Sequence, residues 1–115
     1  MKIIIGIPAF NEEKNIGPII QSLKKTYDTV LVCDDGSSDL TSSIASEMGA
    51  IVVKHSTNQG YGSAIKTIFN ETKKIDCDIL VTFDADGQHK INEIDDILQP
   101  IIENTADIVM GSRFL

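Results

Sequence analysis

Positive charge is scarce in this chain of 115 residues: ten Lys and Arg stand against 17 Asp and Glu, a net charge of −7, and Arg113 is the only arginine. A basic nucleic-acid binder is excluded. Long apolar runs are missing too. Ile3 to Ile7 and Val30 to Cys33 fall far short of the roughly 18 residues a membrane span needs. The opening stretch is also too short for a signal-peptide core and has no small-residue cleavage site after it, so a cytoplasmic protein is expected. Cysteine is limited to Cys33 and Cys77, without a C-x-x-C pair or paired histidines at zinc spacing. That predicts two reduced thiols in an ordinary interior. Glycine motifs that cradle phosphates are lacking as well: no G-K-[ST] occurs, and no glycine lies between Pro8 and Ile16, where a dinucleotide fingerprint belongs. The G-x-G of Gly60 and Gly62 falls after a third strand-like segment and lacks its third glycine. A P-loop is absent and an NAD-binding reading is disfavoured.

What is present suffices for one core, because 42% of the residues are hydrophobic and a domain of this size buries roughly two-thirds of its unfolded surface; disorder is excluded. Five apolar segments rich in β-branched residues read as strands: 2–8, 29–33, 50–54, 79–83 and 107–110. They are continuous rather than alternating, which marks strands buried on both faces, as in a parallel sheet covered by helices. Between them apolar residues recur at helical spacing: Ile16, Ile19, Ile20 and Leu23; Leu40, Ile44, Ala45 and Met48; Tyr61, Ala64, Ile65, Ile68 and Phe69. Asp39 stands where the second helix needs an N-cap and Gly49 where it needs a stop. A fourth pattern, Ile91 to Ile102, is interrupted by Pro100 and should kink or break near Leu98. The alternation predicts right-handed βαβ units in a doubly wound, mostly parallel α/β sheet with strand order 3-2-1-4.

In such sheets ligands bind beyond the carboxyl ends of the strands, and nearly all the unusual chemistry falls there. Asp84-Ala85-Asp86 puts two carboxylates at the mouth of a buried strand, where they repel unless a hard divalent cation, Mg²⁺ or Mn²⁺, joins them. Gln88 and His89 are further candidate ligands. The alternative is a solvated turn whose acids favour a helix N-terminus. Asp34-Asp35-Gly36-Ser37-Ser38-Asp39 closes the second strand in the same way; a carboxylate there can accept from the N–H groups of a nucleobase, or the segment can be a turn with an N-cap. Arg113, just past the fifth strand, is a candidate partner for a diphosphate in an acidic protein, with a surface arginine as the plain alternative. His55 reads as a surface loop residue.

Taken in order, Ile7-Pro8-Ala9-Phe10-Asn11-Glu12-Glu13, Val32-Cys33-Asp34-Asp35-Gly36-Ser37-Ser38-Asp39, Asn58-Gln59-Gly60-Tyr61-Gly62, Phe83-Asp84-Ala85-Asp86-Gly87-Gln88-His89 and Gly111-Ser112-Arg113-Phe114 resemble the motifs of family 2 glycosyltransferases. The wording is nearest the dolichyl-phosphate mannose synthase and polyprenyl-phosphate glycosyltransferase branch. The resemblance implies the GT-A type of α/β fold, with residues 1–115 as its nucleotide-sugar-binding, N-terminal part and the acceptor-binding part lacking. It also implies an inverting transfer of a sugar from a UDP- or GDP-linked donor to an acceptor of the polyprenyl phosphate kind, at the cytoplasmic face of a membrane reached through the lacking part.

Carried over residue by residue, the resemblance implies that Pro8, Phe10 and Glu12 line the nucleoside, phenylalanine replacing the more frequent tyrosine, with Ala9 also among the substrate-binding residues. Val32 would lie beside the base, with Asp35 and Asp34 accepting from it. Asp84, Asp86 and Gln88 would hold Mg²⁺ or Mn²⁺, Ala85 would meet the sugar diphosphate through its backbone, and Asp86 and Arg113 would act on the leaving phosphate. A module that holds a sugar nucleotide without transferring it is the rival reading. A nucleotidyltransferase is opposed by Pro8-Ala9-Phe10-Asn11-Glu12 where a glycine- and basic-rich loop would stand. A half-domain with a bare sheet edge is also open to self-association.

Overall fold

A computed structural model describes residues 2–85 and the backbone of residues 108–110. Five strands form one sheet: β1 (Ile3–Ala9), β2 (Thr29–Asp34), β3 (Ile51–Lys54), β4 (Ile79–Thr82) and β5 (Ile108–Met110). Three helices connect the first four, α1 (Ile16–Leu23), α2 (Thr41–Glu47) and α3 (Tyr61–Lys74). The strand order is β3-β2-β1-β4-β5, and every pairing is parallel. The doubly wound, parallel α/β sheet expected from the sequence is thus present, with the first four strands in the expected order. The fourth helical pattern, with Pro100, lies outside the described residues.

The continuous apolar strands are explained by the two faces they cover. Ile5, Ile7, Val30, Val32 and Val81 turn to the side of α1 and α2, packing with Ile16, Ile20, Leu23 and Ala45. Ile4, Leu31, Cys33 and Leu80 turn to the other side and meet Ala64 and Ile68 of α3. A fully buried aliphatic side chain contributes roughly 1.5–3 kcal/mol, so the central strand β1, with Ile4, Ile5 and Ile7 all at 0% exposure, anchors both layers. Gly6 lets α3 approach closely: a Cβ there would stand 2.6 Å from Ile68 Cγ2.

Capping differs from the sequence reading by one residue. α2 starts at Thr41 with Leu40 in the cap position, and Asp39 acts from one residue further out, its Oδ1 accepting the Thr41 N–H at 3.0 Å. Such one-residue offsets are usual at helix ends. Gly49 does end α2 in the left-handed region, with φ +94°.

Neither Cys33, which is buried, nor Cys77, which is half-buried, forms a disulfide among the described residues. Cys33 lies near the end of β2 while Cys77 precedes β4, and β1 runs between those strands. Burial, then the negative charges of Asp35 and Asp34, push the Cys33 thiol up to about 11. A thiol reagent at pH 8 is therefore expected to modify Cys77 in the native chain and spare Cys33, whereas denaturation without reductant exposes two reactive thiols. A denatured, unreduced sample yielding no free thiol would contradict this. Among the described residues no helix is long and apolar enough to cross a membrane.

Candidate functional site

Because the strands are parallel, their carboxyl ends share one edge of the sheet, and the loops that follow β1, β2 and β3 meet there. The first two are stitched together. Asn11, held in the left-handed region at φ 52°, donates its N–H to Ser37 Oγ at 2.8 Å and accepts the Ser38 N–H on Oδ1 at 2.9 Å. Glu12 N–H meets Thr41 Oγ1 at 2.9 Å, and Glu13 Oε2 accepts the Leu40 N–H at 3.2 Å. Asn, which tolerates positive φ better than most residues, is the sequence signal for this stitch.

Asp34 and Asp35 divide the work of the second loop. Asp34 is fully buried; its Oδ1 accepts the Ser37 N–H at 2.9 Å and its Oδ2 the Ser42 hydroxyl. Both of its oxygens are thus engaged in building the turn. Asp35 follows the end of the ladder, its N–H bonded to the Ala9 carbonyl at 2.8 Å. Its carboxylate points to the third loop: Oδ1 accepts from His55 Nδ1 at 2.7 Å and Gln59 N–H at 2.9 Å, and Oδ2 from Gly60 N–H at 2.8 Å. Burial pushes the Asp35 carboxyl up, but the hydrogen bonds from His55, Gln59 and Gly60 outweigh it and hold the group below its ordinary value. Asp35 is therefore an anion at neutral pH, able only to accept.

His55 is not the surface loop residue that the sequence suggests. Its side chain is 10% exposed, and its Nε2 lies 2.8 Å from Thr67 Oγ1 of α3 and 3.7 Å from Cys33 Sγ. A lone histidine carries no pattern, but its position at the carboxyl end of β3, on the same edge as the other polar groups, is a signal. The line Cys33, His55, Asp35 is no nucleophilic triad, because the thiol is fully buried and its raised pKa keeps it protonated.

Beside Asp35 opens a cavity of about 280 Å³, lined by Pro8, Ala9, Phe10, Gly60 and Tyr61 among others. Phe10 and Tyr61 are 46% and 40% exposed, two rings at the rim of an acidic recess. The expected Pro8, Ala9, Phe10 and Asp35 are thus gathered in one place. Val32 and Glu12 stand apart from that lining. Val32 is fully buried in the layer shared with α1. Glu12 is not among the cavity residues; its Oε2 accepts from Asn15 Nδ2 at 3.1 Å and its carbonyl from the Asn15 and Ile16 N–H groups at the start of α1.

Asp84, half-buried just past β4, meets the Tyr61 hydroxyl through Oδ1 at 3.2 Å. Ala85 is buried at 2% exposure. Asp86, Gln88, His89 and Arg113 lie outside the described residues. Among the described residues no three His, Cys, Asp or Glu side chains converge on one point, so Asp84 alone represents the expected metal set there. As a hard carboxylate oxygen donor at the rim it fits Mg²⁺ or Mn²⁺. A larger cavity of about 470 Å³, with Thr72, Cys77 and Asp78 in its wall, lies at the amino end of β4, the wrong end for ligands in such a sheet.

Comparison with known proteins gives a consistent set of similarities. The family model described as "Glycosyl transferase family 2" matches residues 4–115. An uncharacterized protein of Methanocaldococcus jannaschii is 41% identical over 115 residues, covering 99% of this chain and 47% of that protein. A UDP-N-acetylglucosamine–dolichyl-phosphate N-acetylglucosaminyltransferase of Methanococcus voltae is 37% identical over 129 residues, covering 96% of this chain and 51% of the enzyme. Among solved structures, glucosyl-3-phosphoglycerate synthase from Mycobacterium tuberculosis, in complex with Mn²⁺, UDP-glucose and phosphoglyceric acid, superposes with a TM-score of 0.62 at 30% identity, over 74% of this chain and 33% of that one. The chain spans about half the length of these curated relatives.

Proposed function

Because the chain belongs to glycosyl transferase family 2, we propose that it is the donor-binding part of an enzyme that transfers a sugar, with inversion, from a nucleotide diphosphate sugar to a polyprenyl phosphate. The observation that carries this reading is the recess at the carboxyl ends of β1 and β2, where an ionised Asp35 stands beside Pro8, Ala9 and the exposed rings of Phe10 and Tyr61. An acceptor-only carboxylate suits the N–H edge of a base, and the flat rings suit its face or the ribose. The M. voltae relative, by its name, joins a UDP-sugar to dolichyl phosphate, which supports the choice of donor and acceptor.

Asp84 would hold the metal together with Asp86 and Gln88. When bound, Mg²⁺ or Mn²⁺ supplies positive charge against the negative charge that builds on the leaving diphosphate. The chain's own residues orient the donor: Asp35 fixes the base, Ala85 offers its backbone to the sugar diphosphate, and Arg113 adds a second cation near the leaving group. Transfer also requires the acceptor oxygen to be held in line behind the sugar carbon, a positioning effect of roughly 7–11 kcal/mol. We assign that task to groups outside residues 1–115, since the curated relatives are about twice as long.

The chain is expected to retain donor nucleotide in the presence of Mn²⁺ while forming little glycolipid from a UDP- or GDP-sugar and a polyprenyl phosphate. Asp86→Ala should abolish the Mn²⁺-dependent part of retention, and Asp84→Ala should weaken it less. Unchanged calorimetric affinity in both variants, with and without Mn²⁺, would reduce the Asp84-Ala85-Asp86 segment to a helix-start turn. Robust glycolipid formation by these 115 residues would overturn the assignment of the acceptor groups elsewhere.

A further inference from the structure

We propose that His55 is a positioning residue which, with two backbone N–H groups, fills all but one acceptor position of Asp35, so that the recess selects uracil over guanine. The inference rests on the reading of this recess as a nucleotide site and adds to it the identity of the base. An ionised carboxylate offers about four lone-pair positions. On Oδ1 both are taken, by His55 Nδ1 at 2.7 Å and Gln59 N–H at 2.9 Å. On Oδ2 one is taken, by Gly60 N–H at 2.8 Å. Among the described residues no further donor reaches Asp35, so one position on Oδ2 remains for a ligand.

His55 holds this count. Because Asp35 only accepts, the hydrogen of the His55–Asp35 bond sits on Nδ1, and Thr67 Oγ1, 2.8 Å from Nε2, fixes the ring from its other side. The imidazole is thereby clamped between α3 and the second loop and cannot turn away from Oδ1. The Watson–Crick edge of guanine carries two adjacent donors, N1–H and N2–H, which a carboxylate satisfies only with both oxygens open. Uracil carries one, its imide N3–H. With Oδ1 filled, guanine would enter with one N–H unmatched, whereas uracil matches the single open position. A donor left unmatched beside the carboxylate weakens binding about tenfold or more.

The test is calorimetric titration of the chain with UDP and with GDP, each in the presence of Mn²⁺, for the native sequence, His55→Ala and His55→Asn. The native chain is expected to bind UDP at least about tenfold more tightly than GDP. His55→Ala opens a second position on Asp35 and should weaken UDP while bringing the two affinities close together. His55→Asn, whose side-chain amide reaches roughly where Nδ1 stands, should restore the preference, which a general structural defect would not allow. Circular dichroism melts establish that each variant is folded. If His55→Ala does not fold, the native ratio still decides the choice of base and the ratio in His55→Asn decides the role of the donor. Equal or tighter binding of GDP by the native chain would overturn the selection of uracil, and an unchanged ratio in folded His55→Ala would overturn the positioning role. Retention of neither nucleotide would overturn the nucleotide-site reading itself, a separate result.

Discussion

Asp35→Asn is expected to lower the stability of the chain by about 2–4 kcal/mol and to weaken retention of uridine diphosphate by at least tenfold. The carboxylate accepts three donors, from His55, Gln59 and Gly60. An amide of the same shape keeps one acceptor oxygen and turns an NH₂ group toward donors, leaving at least one of them facing another donor. Gln59 is exposed and Gly60 half-buried, so water offsets part of the loss, and the total stays well below three full desolvation penalties. The same group gives the acid limb of the stability curve its sign. Since the folded-state pKa of Asp35 is lowered, its contribution is complete above the ordinary carboxylate value near pH 4 and is lost as pH falls through the lowered value. Asp39, lowered because hydrogen bonds from Thr41 and Glu13 outweigh the opposing effect of burial, acts in the same window. Urea melts between about pH 2 and pH 5 should show stability falling with acid in the native chain and falling with a shallower slope in Asp35→Asn. An identical acid limb in the two proteins would contradict the assignment.

Gly36→Ala should be comparably damaging for a different reason. Gly36 has φ +78°, and an added Cβ would stand 2.5 Å from both Asn58 N and Thr57 C, which are backbone atoms that cannot swing aside. The left-handed conformation alone costs an alanine about 1–2 kcal/mol, and displacing the third loop raises the total to roughly 2–4 kcal/mol. The displaced segment leads directly into Gln59 and Gly60, so the grip on Asp35 loosens and nucleotide affinity should fall tenfold or more. Denaturant midpoints and nucleotide titration measure the two effects separately. A variant with native stability and affinity would show that the contact between the second and third loops is slack.

Much of this arrangement is readable from the residues. The strands are legible because runs such as Ile3-Ile4-Ile5 and Val30-Leu31-Val32 have one explanation, burial on both faces, and their termini follow to within about a residue. The grouping of Pro8, Phe10 and Asp35 is legible because they sit at or just past strand ends, where the topology gathers loops. The division between Asp34 and Asp35 is not, since it depends on which carboxylate Ser37 and Ser42 capture. Nor is the inward turn of the Val32 side chain, since a motif treats neighbours alike, whereas a strand turns alternate side chains to opposite faces. The place of His55 is not legible either, because its partners, Asp35 and Thr67, lie 20 and 12 residues away, and only the crossing of α3 over the sheet brings them together.

The place of β1 between β2 and β4 has a consequence for the time in which the chain acquires its fold. β1 leaves the ribosome first among these strands, yet one of its two ladders is made with Ile79–Thr82. At about 5–20 residues per second, the stretch between Ala9 and Ile79 takes about 4–14 s to synthesise. During that interval a strand containing Ile3, Ile4, Ile5 and Ile7 has an open edge on its β4 side, and such an edge pairs readily with any other extended chain. Dependence on distant pairing of this kind slows folding. Slow translation before Ile79 would therefore increase the loss of nascent chains to aggregation, and a chaperone that covers the first strand would reduce it.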